Sequence, residues 1–286
     1  MIKSSIQMKK KLGTVITGIL FFIGVLLLLY PAIADLWNDY RQKQLISTYE
    51  KRLTDMEEAE LEAEWAKAQA LNGKIRVDPF ADVFGETQEN RKETEYWKVL
   101  NVSGDGIMGY LSIPKIQVRL SIYHGTGDDV LQTGAGHMNG SSLPIGGEGT
   151  HCTLVAHRGL PGAKLFTELD RMEIGDRFYI HILNQTFAYE VSEILPMVDK
   201  KDKEAIGEAL GAKEGEDLVT LYTCTPYGVN THRLLVTGRR IPYDEEKVRK
   251  QEVVEKKWFF QKYPQLLVLP VLLGAGAIFY GIKRRH

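Results

Sequence analysis

Cysteine is scarce in this sequence, since only two of its 286 residues are cysteines. That number excludes a disulfide-rich secreted scaffold and a cysteine-rich zinc module. An excess of either charge is also lacking, and the formal net charge of -1 gives no global reason to expect a nucleic-acid partner. No internal repeat or low-complexity segment is found. With 44% hydrophobic and 26% charged residues, the composition is neither disordered nor collagen-like.

Long apolar runs are present, and they lie at the two ends of the chain. The first, Leu12 to Tyr30, is uncharged and long enough to cross a hydrocarbon core of roughly 30 Å. Lysines precede this run, so we expect the N-terminus to be cytoplasmic and the bulk of the chain to be outside. A cleavable signal peptide, with Pro31 to Ala34 as its cleavage region, is the competing interpretation. The length of the run favours an uncleaved anchor.

The second apolar run, Leu266 to Tyr280, is shorter and contains Pro270 and several glycines, which membrane helices tolerate. The basic residues Lys283 to Arg285 follow it, although lysines on its other flank leave its orientation less clear. Two spans with both termini inside satisfy the first run and this basic cluster together. Residues 31–263 would then be extracytoplasmic and held to the membrane at both ends. A buried C-terminal helix is the alternative.

Between the two runs the pattern changes from helical to β-rich. Asp35 to Asn72 has helical periodicity and strong helix formers, and Gly73 is a plausible stop. Lys74 to Lys98 is polar and irregular, which predicts a long loop. After Asn101, short β-rich runs that alternate apolar and polar residues are separated by glycines. About seven short strands, interrupted by one helix near Lys203 to Leu210, predict a closed or nearly closed barrel.

A cysteine and an arginine occupy neighbouring strands of this β-rich region. Cys224 ends an alternating strand, and a second strand returns at once from His232 to Val236. If the chain folds back around Gly228, Cys224 and Arg233 lie near the same rung of a hairpin. A guanidinium beside a thiol favours the thiolate and lowers its pKa. A small core cysteine beside a surface arginine remains an alternative.

A histidine supplies the usual partner for such a thiol. His157 follows the strand Cys152 to Ala156 and precedes a glycine turn, which is a position at the rim of a barrel. Imidazole suits proton transfer near neutral pH, and cysteine with histidine is a common nucleophile and acid pair. A disulfide between Cys152 and Cys224 is a weaker possibility. No pair of histidines has convincing metal-ligand spacing, and the competing histidines are His124, His137, His151, His181, His232 and His286.

The segment Thr220 to Val236, with its TLYTC run and an arginine nine residues after the cysteine, closely resembles the active-site signature of sortases, specifically the pilus-assembling class C. Ala156 to Asp170 resembles the histidine segment of that family. The likeness runs from about Gly109 to Arg240. The resemblance implies that Cys224 is the nucleophile, that His157 is the acid and base, and that Arg233 stabilises the substrate or the oxyanion.

The same class often carries a lid, an Asp-Pro-aromatic motif in a loop before the barrel. Asp78, Pro79 and Phe80 match it in kind and position. The resemblance implies that Asp78 pairs with a cation of the site such as Arg233 and that Phe80 covers the thiol, while Pro79 stiffens the tip. Without the resemblance, this motif is a turn in a loop. Cys152 receives no role.

The resemblance also implies a fold and a domain order. The expected fold is mostly β: a closed sortase-type β-barrel with short helices, preceded by an N-terminal helical segment and flanked by two transmembrane helices. We expect a cytoplasmic tail and anchor at 1–34 and a helical segment with the lid loop at 35–100. The catalytic barrel is expected at 101–245, and a linker, a second transmembrane helix and a basic tail at 246–286.

The function implied by the resemblance is that of a membrane-anchored cysteine transpeptidase of a Gram-positive type of envelope. It would cleave an LPXTG-like sorting signal after the Thr and join the acyl group to a pilin lysine. Pilins or other surface proteins with such a C-terminal signal are the expected partners, with membrane lipid and without nucleic acid. No metal or cofactor is required. A cell-wall-anchoring sortase that uses a peptidoglycan amine and a non-catalytic membrane scaffold are the two alternatives.

Overall fold

A computed structural model of the chain describes residues 2–75, 94–160 and 162–244. The chain divides into two units, one of residues 1–37 with 256–286 and the other of residues 38–255. In the first unit, the described residues all belong to helix α1, Ile2–Thr54. Its part Val15–Thr54 is the one described helix that is long and apolar enough to cross a membrane, a property that signal sequences share. The second expected span, Leu266 to Tyr280, lies outside the described residues.

The helical region before the barrel is interrupted. One helix over Asp35 to Asn72 was the expectation, but α1 ends at Thr54 and a separate helix, α2, spans Glu58–Asn72. The expectation of continuity is wrong because Glu57 has an extended backbone and turns the chain before α2 begins. The predicted stop at Gly73 is confirmed, since its N–H donates to the Gln69 carbonyl at 3.0 Å.

Eight strands close into a barrel in the order β1-β2-β3-β4-β7-β8-β6-β5, which confirms the predicted barrel. Neighbouring strands are antiparallel except for the pairs β2–β3 and β4–β7, which are parallel. The strands are β1 Ile107–Ile113, β2 Val118–His124, β3 Ala135–His137, β4 Thr150–Val155, β5 Arg177–Ile182, β6 Gln185–Asp199, β7 Asp217–Thr225 and β8 His232–Ile241. Strand β3 was not predicted, because three residues are too few to show alternation.

Short helices connect the strands. The helix predicted near Lys203 to Leu210 is confirmed as α5, Lys203–Leu210, and the Asp202 carboxylate caps its N-terminus by accepting from the Ala205 N–H at 3.0 Å. The loop predicted to run to Lys98 instead ends in a helix. The remaining short helices are α3 Glu95–Lys98, α4 Asp128–Leu131 and the 3-10 turns Pro114–Ile116 and Leu169–Arg171.

The two faces of β7 pack against different cores. Because side chains alternate along a strand, Val219 and Leu221 point into the barrel and join its main core. Tyr222 points to the outer face, where it packs with a second apolar cluster that includes Ile206 and Leu210 of α5. Cys224, two residues further along β7, therefore shares the outer face with Tyr222.

Helix α1 is attached to the barrel through a buried hydroxyl. The Tyr49 side chain is 1% exposed, and its hydroxyl donates to the Met108 carbonyl at 3.0 Å and accepts from the Leu183 N–H at 2.9 Å. One phenol thus satisfies two backbone groups, one in β1 and one in the turn between β5 and β6.

Replacing Tyr49 with Phe is expected to lower the free energy of unfolding by about 1–3 kcal/mol, because two buried backbone groups lose their partner. Denaturant unfolding of the detergent-solubilised chain measures this change. Tyr227→Phe is the matched control, because the Tyr227 side chain is 59% exposed and its replacement should change stability little. Equal stability of Tyr49→Phe and the unmodified protein would contradict the role of the hydroxyl.

Candidate active site

The hairpin of β7 and β8 brings a thiol and a guanidinium together. Cys224 and Arg233 are direct partners across the two strands, so the rung predicted from their spacing is confirmed. Each side chain is 8% exposed. The connecting loop folds back tightly, since the Pro226 carbonyl accepts from the N–H groups of both Val229 and Asn230 at 3.1 Å.

His157 comes two residues after Val155, the last paired residue of β4. Strands β4 and β7 are parallel with Val155 opposite Tyr222, and the Ala156 N–H donates to the Tyr222 carbonyl at 3.2 Å. The Thr223 hydroxyl in turn donates to the Ala156 carbonyl at 2.7 Å. If this register continued past the end of β4, His157 would be level with Cys224 and on the same outer face.

The loops that follow His157 and Cys224 are held against each other. Arg158 donates from Nη1 to the Thr225 hydroxyl at 3.1 Å and forms an ion pair with Asp170. The Tyr227 ring lies directly on Gly159, where an added Cβ would come within 2.9 Å of the ring. Gly159 also has a φ of +82°, a backbone conformation that favours glycine here.

Burial dominates the protonation of the two candidate catalytic groups. It raises the pKa of the Cys224 thiol, and the positive charges of Arg233 and then Lys200 only partly oppose this rise. Burial also lowers the pKa of His157, against the opposite influence of the Asp128 carboxylate. The guanidinium acts in the expected direction, since it lowers the thiol pKa, but the effect of burial is larger. Burial therefore favours the neutral form of both groups.

The second cysteine is separate from this site. Cys152 and Cys224 are both free thiols, so the possible disulfide between them is not formed. Cys152 lies in the main core of the barrel, where burial raises the pKa of its thiol well above the ordinary value.

The competing histidines have structural surroundings. A ring nitrogen in each of His124, His137 and His151 lies within 2.9 Å of a backbone carbonyl oxygen. The His181 ring stacks on that of Tyr110 with centroids 4.1 Å apart. His232 contacts the Thr231 hydroxyl, and His286 lies outside the described part of the chain. No group of three or more potential metal ligands occurs among the described residues.

Sequence reasoning missed several residues around the thiol. The Arg233 Nε donates to the Tyr222 hydroxyl at 3.1 Å. Alternation along β7 could have identified Tyr222, because it lies two positions before Cys224 on the same face. The charge of Lys200 lies just after β6 and that of Asp128 at the start of α4, and no local signal connects them to the site. The predicted lid residues Asp78, Pro79 and Phe80 lie outside the described residues.

Comparisons with known proteins give consistent results. Residues 111–241 match the model of the Sortase domain family. The crystal structure of sortase C of Streptococcus pneumoniae is 43% identical, with 70% of this chain and 97% of that chain covered and a TM-score of 0.60. Sortase C1 of Streptococcus agalactiae is 42% identical, with 70% and 100% covered and a TM-score of 0.62.

A curated relative is more distant. Sortase SrtE2 of Streptomyces coelicolor is 28% identical over 142 residues, which cover 47% of this chain. The chain spans 56% of the length of that relative. The likeness to it is thus limited to part of each chain.

Removing the guanidinium tests its effect on the thiol. Arg233→Ala is expected to raise the pKa of Cys224 further and to slow its alkylation at neutral pH, because the reactive thiolate loses a positive neighbour. Alkylation rates of the Cys224 peptide, followed by mass spectrometry across pH, give the profile. Arg239→Ala on the same strand is the matched control, since Arg239 is exposed and pairs with Glu216. Superimposable profiles for Arg233→Ala and the unmodified protein would refute the electrostatic role.

Proposed function

Because the chain belongs to the sortase family, we propose that it is a membrane-anchored cysteine transpeptidase that acts on an LPXTG-like sorting signal. It cleaves the signal after the Thr and joins the acyl group to the lysine amine of a pilin. The observation that carries this proposal is the cross-strand pairing of Cys224 with Arg233, beside the strand that precedes His157.

In the first half of the reaction, Cys224 becomes acylated. The sulfur attacks the Thr carbonyl carbon as the thiol proton passes to His157, and Arg233 stabilises the negative charge that develops on the carbonyl oxygen. The bond to the following Gly nitrogen then breaks, and His157 returns the proton to the departing amine. A thioester and a free C-terminal fragment result.

In the second half, an amine replaces the sulfur. The lysine nitrogen of a second subunit attacks the thioester carbonyl, a proton passes from this nitrogen to His157, and the C–S bond breaks. His157 then reprotonates the sulfur, so the enzyme is regenerated and an isopeptide bond has formed. No atom or electron from outside the substrates is needed.

The pKa directions of the two groups oppose the first proton transfer, from the thiol to His157, and favour the second, from His157 to the leaving amine. A His157 pKa below the ordinary value makes the imidazolium a stronger acid, which helps to protonate the amine that leaves. A raised Cys224 pKa makes the sulfur a stronger nucleophile once it is deprotonated, although it lowers the resting fraction of thiolate. Transfer of the thiol proton within the site therefore has to accompany attack.

The choice of a pilin amine as acceptor has support from similar structures. One of them is described as a pilus-related sortase C of group B Streptococcus, and the Streptococcus pneumoniae structure is described as informing pilin substrate specificity. Location in the membrane of a Gram-positive envelope has support from the apolar helix α1. The two-pass arrangement is supported by the sequence of residues 266–280.

Covalent trapping tests the reaction itself. When the detergent-solubilised chain is mixed with an LPXTG-type peptide, we expect a thioester adduct on Cys224 that retains the peptide up to its Thr, detectable by mass spectrometry. Cys224→Ala should form no adduct, while Cys152→Ala is the matched control and should form it normally. Absence of any adduct would favour the non-catalytic scaffold. Release of the adduct by a peptidoglycan precursor but not by a pilin would favour the cell-wall-anchoring sortase.

The proposal includes a lid formed by Asp78, Pro79 and Phe80, which covers the thiol when no substrate is bound. The double variant Asp78→Ala with Phe80→Ala is expected to speed alkylation of Cys224, because the thiol loses its cover. Asp82→Ala with Phe84→Ala, in the same segment, is the matched control and should leave the rate unchanged. An unchanged rate in the first variant, or an equal increase in both, would reject the lid.

A further inference from the structure

We infer that Tyr222 is a positioning residue, whose buried hydroxyl holds the Arg233 guanidinium in the orientation that acyl transfer uses. This inference rests on the proposed function and adds a residue to it. Tyr222 occupies the variable position of the TLxTC run, between the leucine and the threonine.

The contact between the two side chains is direct. The Nε of Arg233 donates to the Tyr222 hydroxyl at 3.1 Å, and Nη1 donates to the carbonyls of His232 at 3.1 Å and Asn230 at 3.4 Å. The guanidinium is thus held by the phenol on one side and by the end of the hairpin loop on the other. Because the group is planar and rigid, bonds at two of its nitrogens determine the orientation of its plane.

The hydroxyl and the nucleophile lie on one strand. Tyr222 and Cys224 are two residues apart on β7 and share its outer face, and Arg233 is the partner of Cys224 on β8. The Arg233 side chain therefore extends diagonally across the hairpin, past its partner Cys224 and towards Tyr222 on the same face. The backbone of β7 therefore determines the spacing between the Cys224 sulfur and the Tyr222 hydroxyl, which holds the guanidinium.

Packing keeps this hydroxyl in place. The Tyr222 side chain is 2% exposed and lies in the outer apolar cluster with Ile206 and Leu210 of α5 and with Val130 of α4. A ring enclosed in this way has little freedom to rotate, since only two torsions separate it from the backbone. Helix α5, which contains no residue of the proposed triad, therefore supports the position of Arg233 through the ring.

A neutral partner suits the proposed role of Arg233. A buried carboxylate in the place of the phenol would also orient the guanidinium, but its negative charge would offset the positive charge felt by the thiolate and the oxyanion. The phenol oxygen accepts a hydrogen bond without cancelling that charge. Tyr222 thus orients Arg233 while leaving its electrostatic effect on Cys224 in place.

Tyr222→Phe tests this inference, because it removes one oxygen and retains the ring. We expect the rate constant of thioester formation with the LPXTG-type peptide to fall roughly tenfold, the size typical of losing a hydrogen bond to a charged group. The alkylation profile of Cys224 should also move towards that of Arg233→Ala. Tyr49→Phe is the matched control, since it removes another buried hydroxyl and should lower stability while leaving the rate of the folded enzyme unchanged.

A double-mutant cycle separates positioning from a general packing effect. Once Arg233 is replaced by Ala, Tyr222→Phe should have no further effect on thioester formation or on alkylation, because the hydroxyl acts only through the guanidinium. An unmodified rate and pH profile in Tyr222→Phe, or an equal loss in the Arg233→Ala background, would overturn the inference. Failure of the unmodified protein to form a thioester would instead reject the proposed function, and the alkylation profiles would still decide whether Tyr222 positions Arg233.

Discussion

The register of three neighbouring strands, β4, β7 and β8, is the constraint on which the candidate site depends. Cys224 and Arg233 meet because β7 and β8 pair in one particular alignment, and the chain reaches His157 from β4, which runs parallel to β7 with Val155 opposite Tyr222. A slip of one residue would turn Cys224 towards the barrel interior, since successive side chains point to opposite faces. The closed barrel opposes such a slip, because it would also expose the apolar residues of the inner face.

Burial holds the side chains of the site in place, and it also disfavours the charged forms of its titratable groups. The same packing that holds Tyr222 and Arg233 in place removes water from the Cys224 thiol, and this removal raises the thiol pKa while it lowers the pKa of His157. Arg233 partly compensates, since its positive charge lowers the pKa of the thiol. Burial thus favours the neutral form of both groups.

Predictions from the sequence succeeded where the information was local. The barrel followed from strands that alternate clearly, and the pairing of Cys224 with Arg233 followed from a hairpin with a short loop. They failed where an element was too short or a helix was interrupted without a strong breaker. The three-residue strand β3 and the turn at Glu57 between α1 and α2 are the two clear cases.

The sequence by itself determined the alternation of β7, the helix at Lys203 to Leu210 and the rung shared by Cys224 and Arg233, because each depends on residues within one element or one hairpin. Only the tertiary structure decided that the strand before His157 runs beside β7, that the charges of Lys200 and Asp128 act on the site, and that burial outweighs Arg233 at the thiol. These features depend on which distant strands become neighbours and on how much water the closed barrel excludes. Both properties belong to the folded chain as a whole and to no single segment of it.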